Sequence, residues 1–183
     1  MESETYRLFF ALWPDAVTRA AIHRATHAVV RHAGGRPVRA ENYHLTLAFL
    51  GEQPAALLPS IIEAGASLAA RTGELRLLRL GYFERTRVLW LGPENTPNPL
   101  RLHVRRLWQA LAPLGIARER RPFAAHLTLA RKVNRAPVVA VRPVSWRYVG
   151  FALVESVTQS QGARYRLIAK WPPAAGAGVE RME

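Results

Sequence analysis

The pentapeptide HLTLA occurs twice in this chain, beginning at His44 and again at His126. A second copy by chance is expected in about one such Leu/Ala-rich sequence in a thousand. Each copy lies in an apolar run with the alternation of a β-strand. In a strand, alternate side chains share a face, so each copy places its histidine and threonine together and its two leucines on the opposite face. Two such strands facing each other would present four polar groups to one ligand.

These residue types suit acid/base chemistry on a phosphodiester. Imidazole has a pKa near 6.5, so His44 and His126 can share the roles of one acid and one base near neutrality. Hydrolysis needs a base that takes a proton from water and an acid that protonates the departing oxygen. The hydroxyl groups of Thr46 and Thr128 can bind the non-bridging phosphate oxygens. The repeat therefore favours hydrolysis of a phosphodiester.

Two other interpretations of the repeat are open. Both copies could be amphipathic strands with a solvated polar face, although such strands need not repeat the same His and Thr. A metal site is the second alternative, but each copy has one histidine, no Asp or Glu, and the chain has no cysteine. His23 and His27 share a helix face without a third ligand nearby, and we expect them at the surface. We expect neither a metal nor a cofactor.

The paired motifs resemble the two-histidine phosphoesterase superfamily, and within it the RNA 2′,3′-cyclic phosphodiesterases, first described as 2′-5′ RNA ligases. The resemblance extends over most of the chain, through RLFFALWP (7–14), ENYHLTLAFLG (41–51), VLWLG (88–92), RPFAAHLTLAR (121–131) and GARY (162–165). It implies metal-independent hydrolysis of a terminal 2′,3′-cyclic phosphate to a 2′-phosphomonoester.

The resemblance also implies a role for each motif residue. His44 would be the general acid that protonates the leaving 3′ oxygen, and His126 would be the general base that activates water. Thr46 and Thr128 would hold the phosphate.

Three residues beside the second motif can be compared with the family pattern. Arg131 resembles the family's phosphate-facing arginine, although simple alternation from His126 puts it on the opposite face unless a strand end or a bulge intervenes. Phe123 resembles the aromatic side chain that stacks on a base. Ala125 departs from the family, which often has proline there, so the loop before the second motif is expected to be less rigid.

The order of predicted elements is alike around the two motifs. Before the first motif strand, a strand over 6–12 is followed by a helix that opens at Trp13-Pro14-Asp15, runs to about His32 and stops at Gly34-Gly35. A strand over 87–91 and a helix from the 95–99 turn to Leu114 precede the second motif strand. Further predictions are a helix over 54–70 and strands over 74–80, 142–155 and 164–171. The expected fold class is α+β, a bilobal domain over 1–171. Two pseudo-symmetric antiparallel sheets would flank a central cleft with helices on their outer faces. Residues 172–183 would form a flexible tail.

Composition limits the setting and the partners. The chain has 183 residues, 49% of them hydrophobic, and no apolar run of membrane-spanning length, and its first residues are acidic. We expect a monomeric cytoplasmic protein without a membrane partner. The net charge of +13 favours a polyanion, and the expected partner is RNA with a 2′,3′-cyclic phosphate end, or a cyclic nucleotide. Only two of the 26 basic residues are lysine, so the arginine bias also fits genomic base composition.

Two arginine groups stand out locally. The first group is expected to be a solvated helix face and consists of Arg101, Arg105 and Arg106. The second group leads into Phe123 and consists of Arg118, Arg120 and Arg121; for it, phosphate contact and simple solvation are both open.

Two other functions use the same residues. The two histidines could also join a 5′-hydroxyl RNA to the cyclic end through a 2′-5′ bond, by microscopic reversibility. Alternatively, the cleft could bind a nucleotide or an RNA end without turning it over.

Overall fold

The computed structural model describes residues 4–119, 121–135, 137, 139–159 and 162–172. The strands are β1 (Thr5–Leu12), β2 (Arg36–Pro37), β3 (Leu45–Pro54), β4 (Thr72–Leu77), β5 (Arg79–Phe83), β6 (Val88–Gly92), β7 (Leu127–Arg131), β8 (Val144–Val149), β9 (Phe151–Gln159) and β10 (Gly162–Trp171). The α-helices are α1 (Ala16–Ala33), α2 (Leu58–Ala66) and α3 (Asn98–Leu111). The predicted tail, beyond its first residue, lies outside the described residues.

The strands form two antiparallel sheets. The larger sheet has the order β10-β9-β1-β3-β7-β6-β5, with the short β2 also paired to β7, and the smaller sheet consists of β4 and β8. Together with the three helices, this arrangement confirms the predicted α+β fold class.

The two motif strands meet in the middle of the larger sheet. β3 and β7 pair only at Leu45 and Leu127, where the half of the sheet that ends in β3 meets the half that begins with β7. Each half contains a strand, a helix and then a motif strand, because β1 precedes α1 and β3 while β6 precedes α3 and β7. This order was predicted from the sequence. It brings the residues just before Leu45 and Leu127 to a common junction.

A β-bulge follows the threonine in the first motif. Thr46 is opposite Ala11 and Ala48 is opposite Phe10, so Leu47 is an extra residue in β3. Leu47 and Ala48 are both buried. Two consecutive buried residues are possible in a strand because the bulge interrupts the alternation of faces.

The second motif has a bulge at the same place. Thr128 is opposite Trp90 and Ala130 is opposite Leu89, so Leu129 is the extra residue of β7. Leu129 and Ala130 are fully buried. The bulge gives a structural reason for the last two letters of the HLTLA repeat: a large and a small apolar residue both enter the core.

The helices cover the core face of the sheets with apolar residues three or four positions apart. The buried residues of α3 are Leu100, His103, Val104, Leu107, Trp108 and Leu111. Helix α1 starts where the Asp15 carboxylate accepts a hydrogen bond from the Thr18 amide and ends at Gly34, as predicted. Of the described helices, none is long and apolar enough to cross a membrane.

Three predicted elements differ from the observed ones. β3 continues to Pro54 because its last residues pair with β1, so α2 is shorter than the helix predicted over 54–70. The strand predicted over 74–80 is two strands that belong to different sheets, β4 and β5. The strand predicted over 142–155 is also divided, at Gly150, whose φ of 72° lies in the left-handed region.

Candidate active site

The junction of β3 and β7 brings together the polar residues of both motifs. Leu45 of β3 pairs with Leu127 of β7 in antiparallel register. Extending this register by one residue in each direction places His44 opposite Thr128 and His126 opposite Thr46. The four side chains are half-buried, whereas both leucines are completely buried on the other face. The arrangement presents two imidazoles and two hydroxyls on one face of the sheet.

The same backbone contact fixes both imidazoles. The Nδ1 of His44 lies 2.7 Å from the carbonyl oxygen of Asn42, and the Nδ1 of His126 lies 2.8 Å from that of Ala124. A carbonyl oxygen can only accept a hydrogen bond, so each Nδ1 carries a proton and donates it. Each Nε2 is therefore the atom that can gain or lose the catalytic proton.

Aromatic rings surround His44. Its ring lies 5.0 Å from that of Phe9, 5.1 Å from that of Trp13 in a stacked arrangement, and 5.1 Å from that of Tyr165, edge to face. The pKa of His44 is lowered from its ordinary value to about 4, mainly by burial. The hydrogen bond to the Asn42 carbonyl opposes this shift, and the charges of Arg131 and His126 contribute to it. His44 is therefore a neutral imidazole at pH 7 in the free protein.

His126 has a more open and more mixed environment. Phe83 approaches its ring edge to face at 5.1 Å, and the ring of Trp90 lies 6.1 Å away. Burial lowers the pKa of His126, and Arg131 lowers it too, but the hydrogen bond to the Ala124 carbonyl and the carboxylate of Glu119 raise it. In the free protein, only His126 of the two has an anion among the groups that shift its pKa.

Arg131 is exposed at the end of β7, beyond the bulge. Because Leu129 and Ala130 both point into the core, the next residue returns to the face that carries Thr128. The charge of Arg131 contributes to the lowered pKa of both histidines. The structure thus accounts for Arg131 on the site face through a bulge, one of the two routes that the sequence left open.

Two known proteins are similar to this chain over nearly its whole length. An RNA 2′,3′-cyclic phosphodiesterase of Escherichia coli (strain K12) is 35% identical over 173 residues, which cover 92% of this chain and 97% of that protein. One of Thermus thermophilus is 34% identical, over 97% of this chain and 95% of that protein. The sequence profile described as LigT like Phosphoesterase matches residues 13–90. The chain belongs to the LigT-like phosphoesterase family.

Solved structures of the family have the same fold. The apo form of E. coli LigT matches with a TM-score of 0.83 at 32% identity, over 93% of this chain and 99% of that one. E. coli LigT in complex with 3′-AMP matches over the same shares of both chains, with a TM-score of 0.82 at 31% identity. The predicted membership of the two-histidine superfamily is confirmed.

In this LigT-like phosphoesterase, a hydrogen bond holds Ala125, the residue at the position where the family often has proline. The amide nitrogen of Ala125 donates to the side-chain oxygen of Thr96 at 2.9 Å. Proline has no amide hydrogen and could not make this bond. The bond attaches the segment before His126 to the turn that precedes α3, so the loop is held in place despite its departure from the family pattern.

Phe123 lies three residues before His126 and lines a cavity. The residue is half-buried, and the cavity, of about 690 Å³, lies beside the start of α3. In the described part of the chain, the aromatic rings in contact with His126 are those of Phe83 and Trp90. The role of Phe123 in stacking on a base stays a prediction.

Sequence reasoning missed the aromatic side chains beside the histidines. Phe9, Trp13 and Tyr165 contact His44 from separate parts of the chain. Trp90 is half-buried and lies opposite Thr128 in the register, over Gly81, where any side chain would collide with the indole ring. The glycine opposite a tryptophan was the available signal for a ring lying flat along this face.

Among the described residues, no three His, Cys, Asp or Glu side chains are grouped so that they could hold a metal ion. His23 and His27 stack on each other at 5.7 Å on the exposed side of α1. The two catalytic candidates are thus the histidines that the fold combines with hydroxyl groups and a guanidinium.

Proposed function

We propose that this protein hydrolyses the 2′,3′-cyclic phosphate at the end of an RNA to a 2′-phosphomonoester, without a metal ion. The observation that carries the proposal is the junction of the two HLTLA motifs, where two imidazoles of fixed tautomer share a face with two threonine hydroxyls. Relatives that match nearly the whole chain bear the name of this activity, and the E. coli structures include complexes with 3′-AMP and with phosphate.

In the proposed reaction, the two Nε2 atoms carry the catalytic protons. The Nε2 of His126 accepts a proton from water as the water oxygen bonds to phosphorus. The bond from phosphorus to the 3′ oxygen breaks, and the Nε2 of His44 gives its proton to that oxygen. The bond to the 2′ oxygen is retained, so the product carries a 2′-phosphate and a 3′-hydroxyl. The assignment of acid to His44 and base to His126 rests on the family resemblance.

The remaining polar groups stabilise the charge that develops on phosphorus. Donors already in place act most strongly on the transition state because they need not reorganise. Thr46 and Thr128 donate hydrogen bonds to the non-bridging oxygens, and the guanidinium of Arg131 offsets their negative charge.

Substrate binding adjusts the protonation of the pair. In the free protein, a pKa of about 4 leaves His44 unprotonated at neutral pH. A cyclic phosphodiester brings a negative charge between the two rings and beside Arg131, and a nearby anion favours the charged imidazole. The pKa of His44 therefore rises in the complex, so that the acid acquires its proton when there is an oxygen to protonate.

The activity is tested with a short RNA that ends in a 2′,3′-cyclic phosphate, incubated with the protein in EDTA. We expect a 2′-phosphate product, identified by its resistance to enzymes specific for 3′-phosphates. The His44→Ala and His126→Ala variants should lose this product, and His27→Ala, at an exposed position, should keep it. An intact cyclic end, or a 3′-phosphate product, would contradict the proposal. A 2′-5′ linked product formed with a 5′-hydroxyl acceptor would instead favour ligation.

The setting of the reaction is part of the proposal. We propose that the protein acts in the cytoplasm as a monomer, with residues 1–171 as the catalytic unit and 172–183 dispensable. A chain ending at Trp171 should keep its turnover and elute as a monomer in size-exclusion chromatography. A cyclic nucleotide would enter the same site, and comparing its kcat/KM with that of RNA ranks the two substrates.

A further inference from the structure

Two arginine groups from distant parts of the sequence face the same cavity. The cavity has a volume of about 690 Å³ and lies between the first turns of α3 and the segment that leads to the second motif. The basic side chains in its wall are Arg71, Arg101, Arg105 and Arg118. The sequence assigned Arg101 and Arg105 to a solvated helix face and left Arg118 open, but the fold brings all of them to one concave surface.

The charges of this cavity are not neutralised within the described residues. There, the ion pair formed is between Arg166 and Glu155, and none of the four cavity arginines lies within 4.0 Å of a carboxylate. Arg101 donates a hydrogen bond to the side-chain oxygen of Asn98 at 2.8 Å, which orients its guanidinium at the cavity wall. Guanidinium groups bind phosphate oxygens in a fork geometry, so four of them around one cavity suit a ligand with several phosphates.

The basic surface continues past Arg71. A second cavity, of about 300 Å³, shares Arg71 with the first and is lined by Arg106 and His103. His103 is 5% exposed. Burial lowers its pKa, and the charges of Arg71 and Arg106 lower it further, which is the effect expected of a positive potential at this surface.

The first cavity is attached to the catalytic junction. Phe123, in its wall, precedes His126 by three residues, a separation of at most about 11 Å along an extended chain. The hydrogen bond from Ala125 to Thr96 holds this segment to the turn before α3.

We propose that this cavity binds the phosphate backbone of the RNA strand that precedes the cyclic phosphate. This inference rests on the proposed function, because it takes RNA as the substrate. It assigns Arg101, Arg105 and Arg118 to the recognition of longer RNA, separate from the residues that act on the terminal phosphate.

The test compares two substrates that both end in a 2′,3′-cyclic phosphate, a dinucleotide and a 12-nucleotide RNA. The variant is Arg101→Gln/Arg105→Gln, at two exposed positions of α3. The matched control is Arg24→Gln/Arg31→Gln, which removes the same charge from exposed positions of α1, outside the cavity wall. Arg118→Gln tests the opposite wall independently.

We expect the cavity variants to lower kcat/KM for the 12-mer at least fivefold more than for the dinucleotide. Each lost phosphate contact should also reduce the dependence of log Kd on log salt concentration by about one unit, measured with a 12-mer that ends in a 2′-phosphate. The control variant should change both substrates alike. Equal losses for the two substrates, or a salt dependence that falls equally in the control, would overturn the inference. Failure of the wild-type protein to turn over either substrate would instead overturn the proposed function.

Discussion

The two halves of the active site have the same backbone and different surroundings. In each half, a bulge follows the threonine, and the histidine Nδ1 donates to the carbonyl two residues earlier. The rings of Phe9, Trp13 and Tyr165 contact His44, whereas His126 has Phe83 and Trp90 beside it and a carboxylate that raises its pKa.

The residue after each bulge shows the same contrast. In the second half it is Arg131, and in the first half it is Phe49, whose ring lies 5.2 Å beneath the guanidinium of Arg7. The repeated backbone places Thr46 and Thr128 in equivalent positions. The different neighbours give the two imidazoles different proton affinities in the free protein.

Removal of either imidazole should have the largest effect. We expect His44→Ala and His126→Ala each to lower kcat by about two to four orders of magnitude with a small change in KM, because each ring acts in the transition state. Steady-state kinetics with a cyclic-phosphate dinucleotide measures this, with the exposed His23→Ala as control. Retained turnover in either variant would show that its half of the site is not catalytic.

The threonines test the symmetry of phosphate binding. Thr46→Val and Thr128→Val should each lower kcat by about 100-fold, since each removes one hydroxyl donor from a preorganised site. Valine has nearly the same shape, so unfolding curves should stay close to those of the wild type. If one variant loses activity and the other does not, the two halves do not hold the phosphate equivalently.

The environment of His44 should also appear in the pH dependence of stability. The pKa of His44 is about 4 in the folded protein and near 6.5 in the unfolded chain, so the folded protein favours the neutral imidazole. The stability that His44 contributes is therefore complete above pH 6.5 and is lost as the pH falls to about 4. Between those values, the wild type should lose about 3 kcal/mol more free energy of unfolding than His44→Gln. Urea unfolding at pH 7 and pH 4 gives the difference.

The same measurement of stability against pH can be made on His126→Gln, in the other half of the site. His126→Gln should remove pH dependence of the same sign but smaller size, because Glu119 opposes the lowering of the His126 pKa. Equal pH dependence in the two glutamine variants would contradict the electrostatic difference between the halves.

The smallest expected effect is at the bond that anchors the second motif. Thr96→Val removes the acceptor of the Ala125 amide and should lower the free energy of unfolding by about 1 kcal/mol. We expect kcat to fall by less than it does in the threonine variants of the motifs. Thr86→Val, at an exposed position, is the control. An unchanged stability would show that the Ala125 segment is held by packing alone.

The sequence predicted the parts of this site that repeat. The HLTLA motif indicated His44, Thr46, His126 and Thr128, and the alternation of strands placed them on one face. The alternation of polar and apolar residues does not predict the bulge, although two consecutive apolar residues, Leu47 and Ala48, are consistent with it. The aromatic neighbours of His44 could not be predicted, because strand pairing brings them together from β1, β10 and the turn before α1.

The fold was predicted best where signals are local. Asp15 and Gly34 marked the ends of α1 because capping depends on neighbouring residues. The continuous stretch from residue 74 to 80 gave no sign that β4 and β5 belong to different sheets, since that division depends on which distant strand each one pairs with. The resemblance assigned Phe123 to stacking on a base, and the cavity that it lines is formed by residues from separate parts of the chain.

The most direct test of the different roles of the two halves is a substrate whose leaving 3′ oxygen is replaced by sulfur. A thiolate leaves without protonation, since thiols have a pKa near 8.5. With this substrate, His44→Ala should recover to within about tenfold of the wild-type rate, while His126→Ala should stay inactive. Recovery of His126→Ala instead would reverse the roles of acid and base. Recovery of neither variant would show that His44 does not act by protonating the leaving group.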